Sequence, residues 1–267
     1  MNTVKVSEYL IKHDVSTVSL VIAHPDDEIM FFNQFLLSLN KIIENSNLSI
    51  SDSSTETIQK TSKCVQLNLK INILCLTNGD NENKYGNLRE NELIESCKTL
   101  LSNYQLDSNL FIYIGDFVDS MTENWNINEV KQYLNKYINH AENNLIVTFD
   151  EYGISDHINH RTCNKAVVNQ FANSDSTHIW TLQTPTFIIK YLGFLTILFS
   201  NVNKIDNNKI ILNNNDVYQL IYLIGIMGYK HKSQMVWYRW LWWLFNSLVS
   251  VSYTHLRAPR DMRRSRM

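Results

Sequence analysis

Hydrophobic positions along this chain come in short unbroken runs, separated by stretches of helical periodicity. Four runs, TVSLVIA (17–23), LKINILCLTNG (69–79), NLFIYIGDF (109–117) and NLIVTFD (144–150), are β-branched and continuous. Each is too short for a typical helix and reads as a strand buried on both faces. Between them lie DEIMFFNQFLLSLNKII (27–43), RENELIESCKTLLSNY (89–104) and NINEVKQYLNKYINHAE (126–142). The first has acids in its opening turn, the second repeats apolar residues at Leu93, Cys97, Leu100 and Leu101, and the third opens on an Asn cap. All three read as helices. Strands alternating with helices predict a Rossmann-like three-layer α/β/α fold with a mostly parallel sheet.

Departures from the alternation mark the boundaries. ENSNLSISDSSTETIQKTSK (44–63) is polar and rich in Ser, Asn and Thr, and reads as a loop insertion within a single domain spanning 1–248. After Leu248 the pattern stops, and SVSYTHLRAPRDMRRSRM turns Arg-rich in a chain otherwise full of Asn and Lys. Residues 249–267 are therefore read as a tail outside the fold, with two readings open: translated adapter sequence, or a basic segment for anionic lipid.

Two aromatic-rich segments, Phe187–Phe199 and Met235–Val249, fall short of the roughly 18 apolar residues a spanning helix needs. They read either as core or as a peripheral membrane contact, because Trp and Tyr favour the membrane–water boundary. The first residues, MNTVKVSEYLIKHD, lack the apolar core of a signal peptide.

Composition narrows the picture. A hydrophobic content of 44% with 19% charged residues describes a globular protein. A formal charge of −2 gives no electrostatic footprint for nucleic acid. Cys64, Cys75, Cys97 and Cys163 contain no CxxC pair, so they read as reduced structural thiols.

In parallel α/β sheets, function collects in the loops at the carboxyl ends of strands. That singles out HPDDE (24–28), NGDNENKYGNLRENE (78–92) and DEYGISDHINH (150–160). His24 and Asp27 lie three apart after the first strand, and His157 and His160 lie three apart after the fourth. Two imidazoles and a carboxylate from separate loops suit zinc and leave coordination positions open for water and substrate. Asp26 would stand beside the metal as general base, with a remaining histidine-loop residue facing the oxyanion or the leaving amine. A chance HxxH and a solvated Asp turn are the plain alternatives.

The motifs AHPDDE (23–28), TNGDN…GNLRENEL (77–93), VTFDEYGISDHINH (147–160) and HKSQMVWYRW (231–240) resemble those of the PIG-L-type, LmbE-like zinc de-N-acetylases. The resemblance runs from about Val18 to Phe245, apart from the insertion, and leans towards the eukaryotic branch. That branch deacetylates N-acetylglucosaminyl-phosphatidylinositol in glycosylphosphatidylinositol-anchor synthesis. It implies zinc, or another divalent metal, on His24, Asp27 and His160. It implies Asp26 as general base, His157 facing the tetrahedral intermediate, and Arg89 contacting substrate, although an ion pair with Glu92 would serve Arg89 equally. His231 enters as a weaker residue of the substrate rim. The resemblance further implies a glycolipid substrate at the cytosolic face of the endoplasmic reticulum. Members of this branch often open with a membrane-spanning helix, which this sequence lacks, so attachment is expected to rest peripherally on the two aromatic-rich segments, or on a missing exon. Three rivals stay open: deacetylation of a soluble N-acetylglucosamine conjugate, a non-catalytic membrane-associated binding protein on the same scaffold, and a structural metal site without turnover.

Overall fold

A computed structural model of the chain describes residues 3–51, 69–79, 85–191, 209–213, 217–249 and 251–257. The elements run α1 (Thr3–Lys12), β1 (Thr17–Ile22), α2 (Asp27–Met30), α3 (Asn33–Ser51), β2 (Lys70–Cys75) and α4 (Gly86–Leu100). Next come β3 (Leu110–Ile114), α5 (Ile127–Tyr137), β4 (Asn144–Phe149), α6 (Gly153–Asp156), α7 (Ile158–Phe171) and β5 (Thr177–Leu182). They close with α8 (Phe187–Lys190), β6 (Lys209–Asn213), α9 (Val217–Lys230), α10 (Trp237–Phe245) and β7 (Val251–Arg257).

The sheet order is β3-β2-β1-β4-β5-β7-β6. The first five strands are parallel, and β7 runs antiparallel between β5 and β6. Every residue of β1 and β4 is buried, as expected of parallel strands covered by helices on both faces. α5 packs on α7 in one layer, and α1, α3 and α4 pack in the other. Asn126 caps α5 through its side chain, which accepts from the Asn128 N–H at 3.0 Å. Strand order reverses between β1 and β4, and at such a switch point the flanking loops splay apart and leave a crevice. The HPDDE turn leaves β1 there, and the HINH segment follows β4.

The structure corrects three sequence expectations. The helix after β1 is broken at Phe31–Phe32, which lets HPDDE form a turn and a four-residue helix of its own. α3 then runs on to Ser51, into the stretch read as a loop insertion, while 52–68 lie outside the described residues. Val251–Arg257, placed in the tail outside the fold, form β7 inside the sheet. Of the first aromatic segment, only residues up to Tyr191 are described. Among the described residues, no helix is long and apolar enough to cross a membrane.

Candidate metal centre and active site

The HPDDE turn is built around two carboxylates that grip the backbone. Asp27 Oδ2 accepts from the Ala23 and His24 amides at 3.0 and 2.8 Å, fixing the turn as it leaves β1. Asp26 sits at φ 127°, a region non-glycine residues rarely occupy at a cost of about 1–3 kcal/mol. Glu28 Oε2 holds that strained residue by accepting from its N–H at 3.1 Å. The second histidine loop is strained too, with Ile154 at φ 63° and Asp156 at φ 60°. Asp150 pins it, accepting from the Tyr152 and Gly153 amides and from the Thr184 hydroxyl at 2.7 Å.

These loops bring His24, Asp27 and His160 together, all buried. His24 Nδ1 lies 3.3 Å from His160 Nε2 and 3.7 Å from Asp27 Oδ2, and His160 Nε2 lies 3.2 Å from Asp27 Oδ1. Tetrahedral zinc with ligands at about 2.0–2.1 Å needs donor atoms about 3.3–3.4 Å apart, and the His24–His160 and His160–Asp27 separations fit the ion. Tautomers fit as well. His160 Nδ1 donates to the Gly153 carbonyl at 3.0 Å, which turns the Nε2 lone pair inward. His24 Nε2 faces Asp119 Oδ1 at 3.1 Å, which leaves Nδ1 for the centre. Phe149 stacks on the His160 ring at 4.1 Å and fixes its plane.

The electrostatics agree. Burial opposes charge on His24, but the carboxylates of Asp119 and Asp27 outweigh it and hold its pKa up at about 9. Burial would also raise Asp27, yet the His160 and His24 imidazoles carry it well below the usual carboxylate range. The cluster favours a positive charge at its middle.

A cavity of about 380 Å³ opens over these atoms. Asp26 and His157 line it. Arg239 Nη2 sits 2.8 Å from Asp26 Oδ2, and the same guanidinium touches the Met30 sulfur. His157 Nδ1 accepts from the Asn159 amide at 3.2 Å, so the neutral ring carries its proton on Nε2. Burial, with His24 and His160 nearby, pushes the His157 pKa down to about 4. Arg89 also lines the cavity. It donates to the Gly79 carbonyl at 2.7 Å and the Pro25 carbonyl at 3.3 Å, and faces Asp119 at 3.5 Å. Glu92, the alternative partner, turns instead to the Ser233 amide at 2.9 Å.

His231 departs from the sequence reading. Its side chain is fully buried, 2.6 Å from Glu28 Oε1, and it does not line the cavity. An imidazole is amphipathic enough for either place, and only the packing of the HPDDE turn decides. Sequence reasoning missed Asp119, although the strand-end rule applied to the loop after β3 points to it. It also missed Arg239, whose signal is a lone cation inside an aromatic helix.

Fold and site together define a doubly wound α/β protein with a two-histidine, one-carboxylate centre at the switch point of its sheet. The PIG-L family profile, described as GlcNAc-PI de-N-acetylase, matches residues 19–171, and the chain belongs to that family. It is 31% identical to an N-acetylglucosaminyl-phosphatidylinositol de-N-acetylase of Saccharomyces cerevisiae, over 88% of this chain and 79% of that one. It is 28% identical to the Bos taurus protein of the same description, over 89% and 82% of the two chains. Among solved structures it resembles the N,N'-diacetylchitobiose deacetylase of Pyrococcus horikoshii. That likeness has a TM-score of 0.53 at 13% identity, covers 93% and 86% of the two chains, and concerns the fold alone.

Proposed function

We propose that this protein hydrolyses the acetamide of N-acetylglucosaminyl-phosphatidylinositol, releasing acetate in glycosylphosphatidylinositol-anchor biosynthesis. The observation that carries the reading is the convergence of His24, Asp27 and His160 under one cavity that also holds Asp26 and His157, in a chain of this family. His24, Asp27 and His160 would hold zinc, which would supply a Lewis acid for the acetyl carbonyl and for the attacking water. Another divalent metal that takes imidazole and carboxylate ligands would suit the same set.

The residues of the chain do the rest. Asp26 takes the water proton, its carboxylate aimed by Arg239. His157 donates through Nε2–H to the oxygen that gains charge as water adds to the carbonyl. The carbon–nitrogen bond then breaks, and the proton held on Asp26 passes to the leaving amine. Arg89 holds the first two rim loops together and contacts the substrate at the wall. His231 acts from beneath through Glu28. We place the reaction at the cytosolic face of the endoplasmic reticulum, with peripheral membrane contact through exposed aromatic residues.

Acetate release from the glycolipid by zinc-loaded protein tests the reading. Release that chelation abolishes and zinc restores is expected. Zinc-loaded protein that cleaves only soluble N-acetylglucosamine conjugates would move the substrate class and keep the chemistry.

A further inference from the structure

Two helices, the second of them at the cavity wall, are apolar on both faces. α9 buries Leu223, Ile226 and Met227, yet Tyr218 is 83% exposed and Ile221 60% on its other side. α10 buries only Trp243, leaving Trp237 75% exposed and Trp240, Leu241 and Leu244 about half exposed. A surface helix bathed in water carries a polar outer face, and contiguous apolar patches mark contacts with something other than water.

Composition says what kind of contact. No Asp or Glu occurs from Val217 to Phe245, where the cations are Lys230, Lys232 and Arg239. Four of the chain's six Trp lie in α10. Trp and Tyr collect where one end of a ring meets hydrocarbon and the other meets water, and a surface without carboxylates meets no repulsion from anionic headgroups. The patch is also continuous with the site, since α10 turns Tyr238, Arg239 and Trp242 into the cavity. On α8, Lys190 lines that cavity while Phe187 is 77% exposed.

We propose that the outer faces of α9 and α10 are a docking surface for a lipid bilayer, which brings the cavity mouth to a substrate still anchored by its acyl chains. The inference rests on the glycolipid reading above. Drawing two acyl chains into water is far costlier than lowering an apolar helix face onto the headgroups, so the protein goes to the lipid.

The test uses the full chain with vesicles of phosphatidylcholine and phosphatidylinositol. Vesicle binding is measured beside acetate release from substrate in those vesicles and from a water-soluble N-acetylglucosaminyl-inositol phosphate. The double substitution Trp237→Ser with Leu244→Ser should weaken vesicle binding about tenfold or more. It should lower release from vesicles and leave release from the soluble compound unchanged. Trp237→Tyr keeps an interfacial ring and should keep binding, which separates lost docking from lost folding. Vesicle binding by the double variant equal to wild type overturns the proposal. Wild type that stays in solution, or that forms a dimer the double substitution disperses, overturns it as well. Docking that the double substitution weakens, in a protein that releases no acetate from either substrate, would sink the catalytic reading and sustain the docking surface.

Discussion

Glu28 and His231 lie 203 residues apart in sequence and meet at 2.6 Å with both side chains fully buried. Glu28 Oε1 also accepts from Ser96 Oγ at 2.6 Å, and its other oxygen accepts from the Asp26 amide. One carboxylate therefore ties the strained HPDDE turn to α4 and to the segment that follows α9. Remote chain is used here to hold the backbone of the proposed base.

Removing the imidazole strands a buried carboxylate. His231→Ala is expected to destabilise the fold by about 3–5 kcal/mol, while Lys232→Ala, exposed next door, should change stability by less than about 0.5 kcal/mol. Thermal melts of both variants check this. Equal melting temperatures for His231→Ala and wild type would contradict it.

The same pair sets a pH dependence. Burial opposes charge on His231, but Glu28 outweighs it and raises the pKa above the ordinary value of about 6.5. A raised folded-state pKa contributes stability that is whole below about pH 6.5 and is lost as pH rises through the raised value. Wild type should lose thermal stability on the alkaline side more steeply than Glu28→Gln. Parallel profiles would mean the pair is not ionic.

Gly79 has φ 71°, and a Cβ there would clash with the Arg89 guanidinium. Gly79→Ala should cost more than about 1 kcal/mol, because both backbone and guanidinium must shift. It should also raise KM more than it lowers kcat, since Arg89 lines the cavity wall as the proposed substrate contact. A kcat loss with unchanged KM would contradict the placement of Arg89.

Asp119 accepts from the far nitrogen of His24. Asp119→Asn should weaken zinc affinity about 10- to 100-fold, read by chelator competition, because the imidazole loses the partner that fixes its tautomer. Arg239→Ala should lower kcat about 10- to 100-fold with zinc content unchanged, because it touches the proposed base and no ligand.

Four of the five parallel strands were legible in the sequence, β1, β2 and β4 because they are buried on both faces and read as continuous apolar runs, whereas β5, THIWTL, interrupts its apolar residues with two Thr and a His. β6 and β7 were not legible, because β6 is a short strand at the sheet edge and β7 lies in a tail of foreign composition. His24, Asp26, Asp27, His157 and His160 were legible because they fall in two short motifs, HPDDE and HINH, in the segments that follow β1 and β4. Asp119 lies five residues past β3 on a loop that the strand-end rule covers but that carries no histidine or paired-acid motif, while Arg239 reaches the cavity from a helix near the end of the chain that no local spacing ties to the site. His231 shows the converse: its motif was visible, but only packing decides whether an imidazole faces a cavity or a buried carboxylate.

The central claim is that Asp26 works as a base beside a metal held by His24, Asp27 and His160. It is tested most directly by measuring bound zinc and acetate release together for wild type, Asp26→Asn and His160→Ala. Asp26→Asn is expected to keep its zinc and lose at least about a hundredfold in kcat, while His160→Ala is expected to lose the metal and the activity together. Asp26→Asn turning over at the wild-type rate, or wild type binding no zinc, would contradict it.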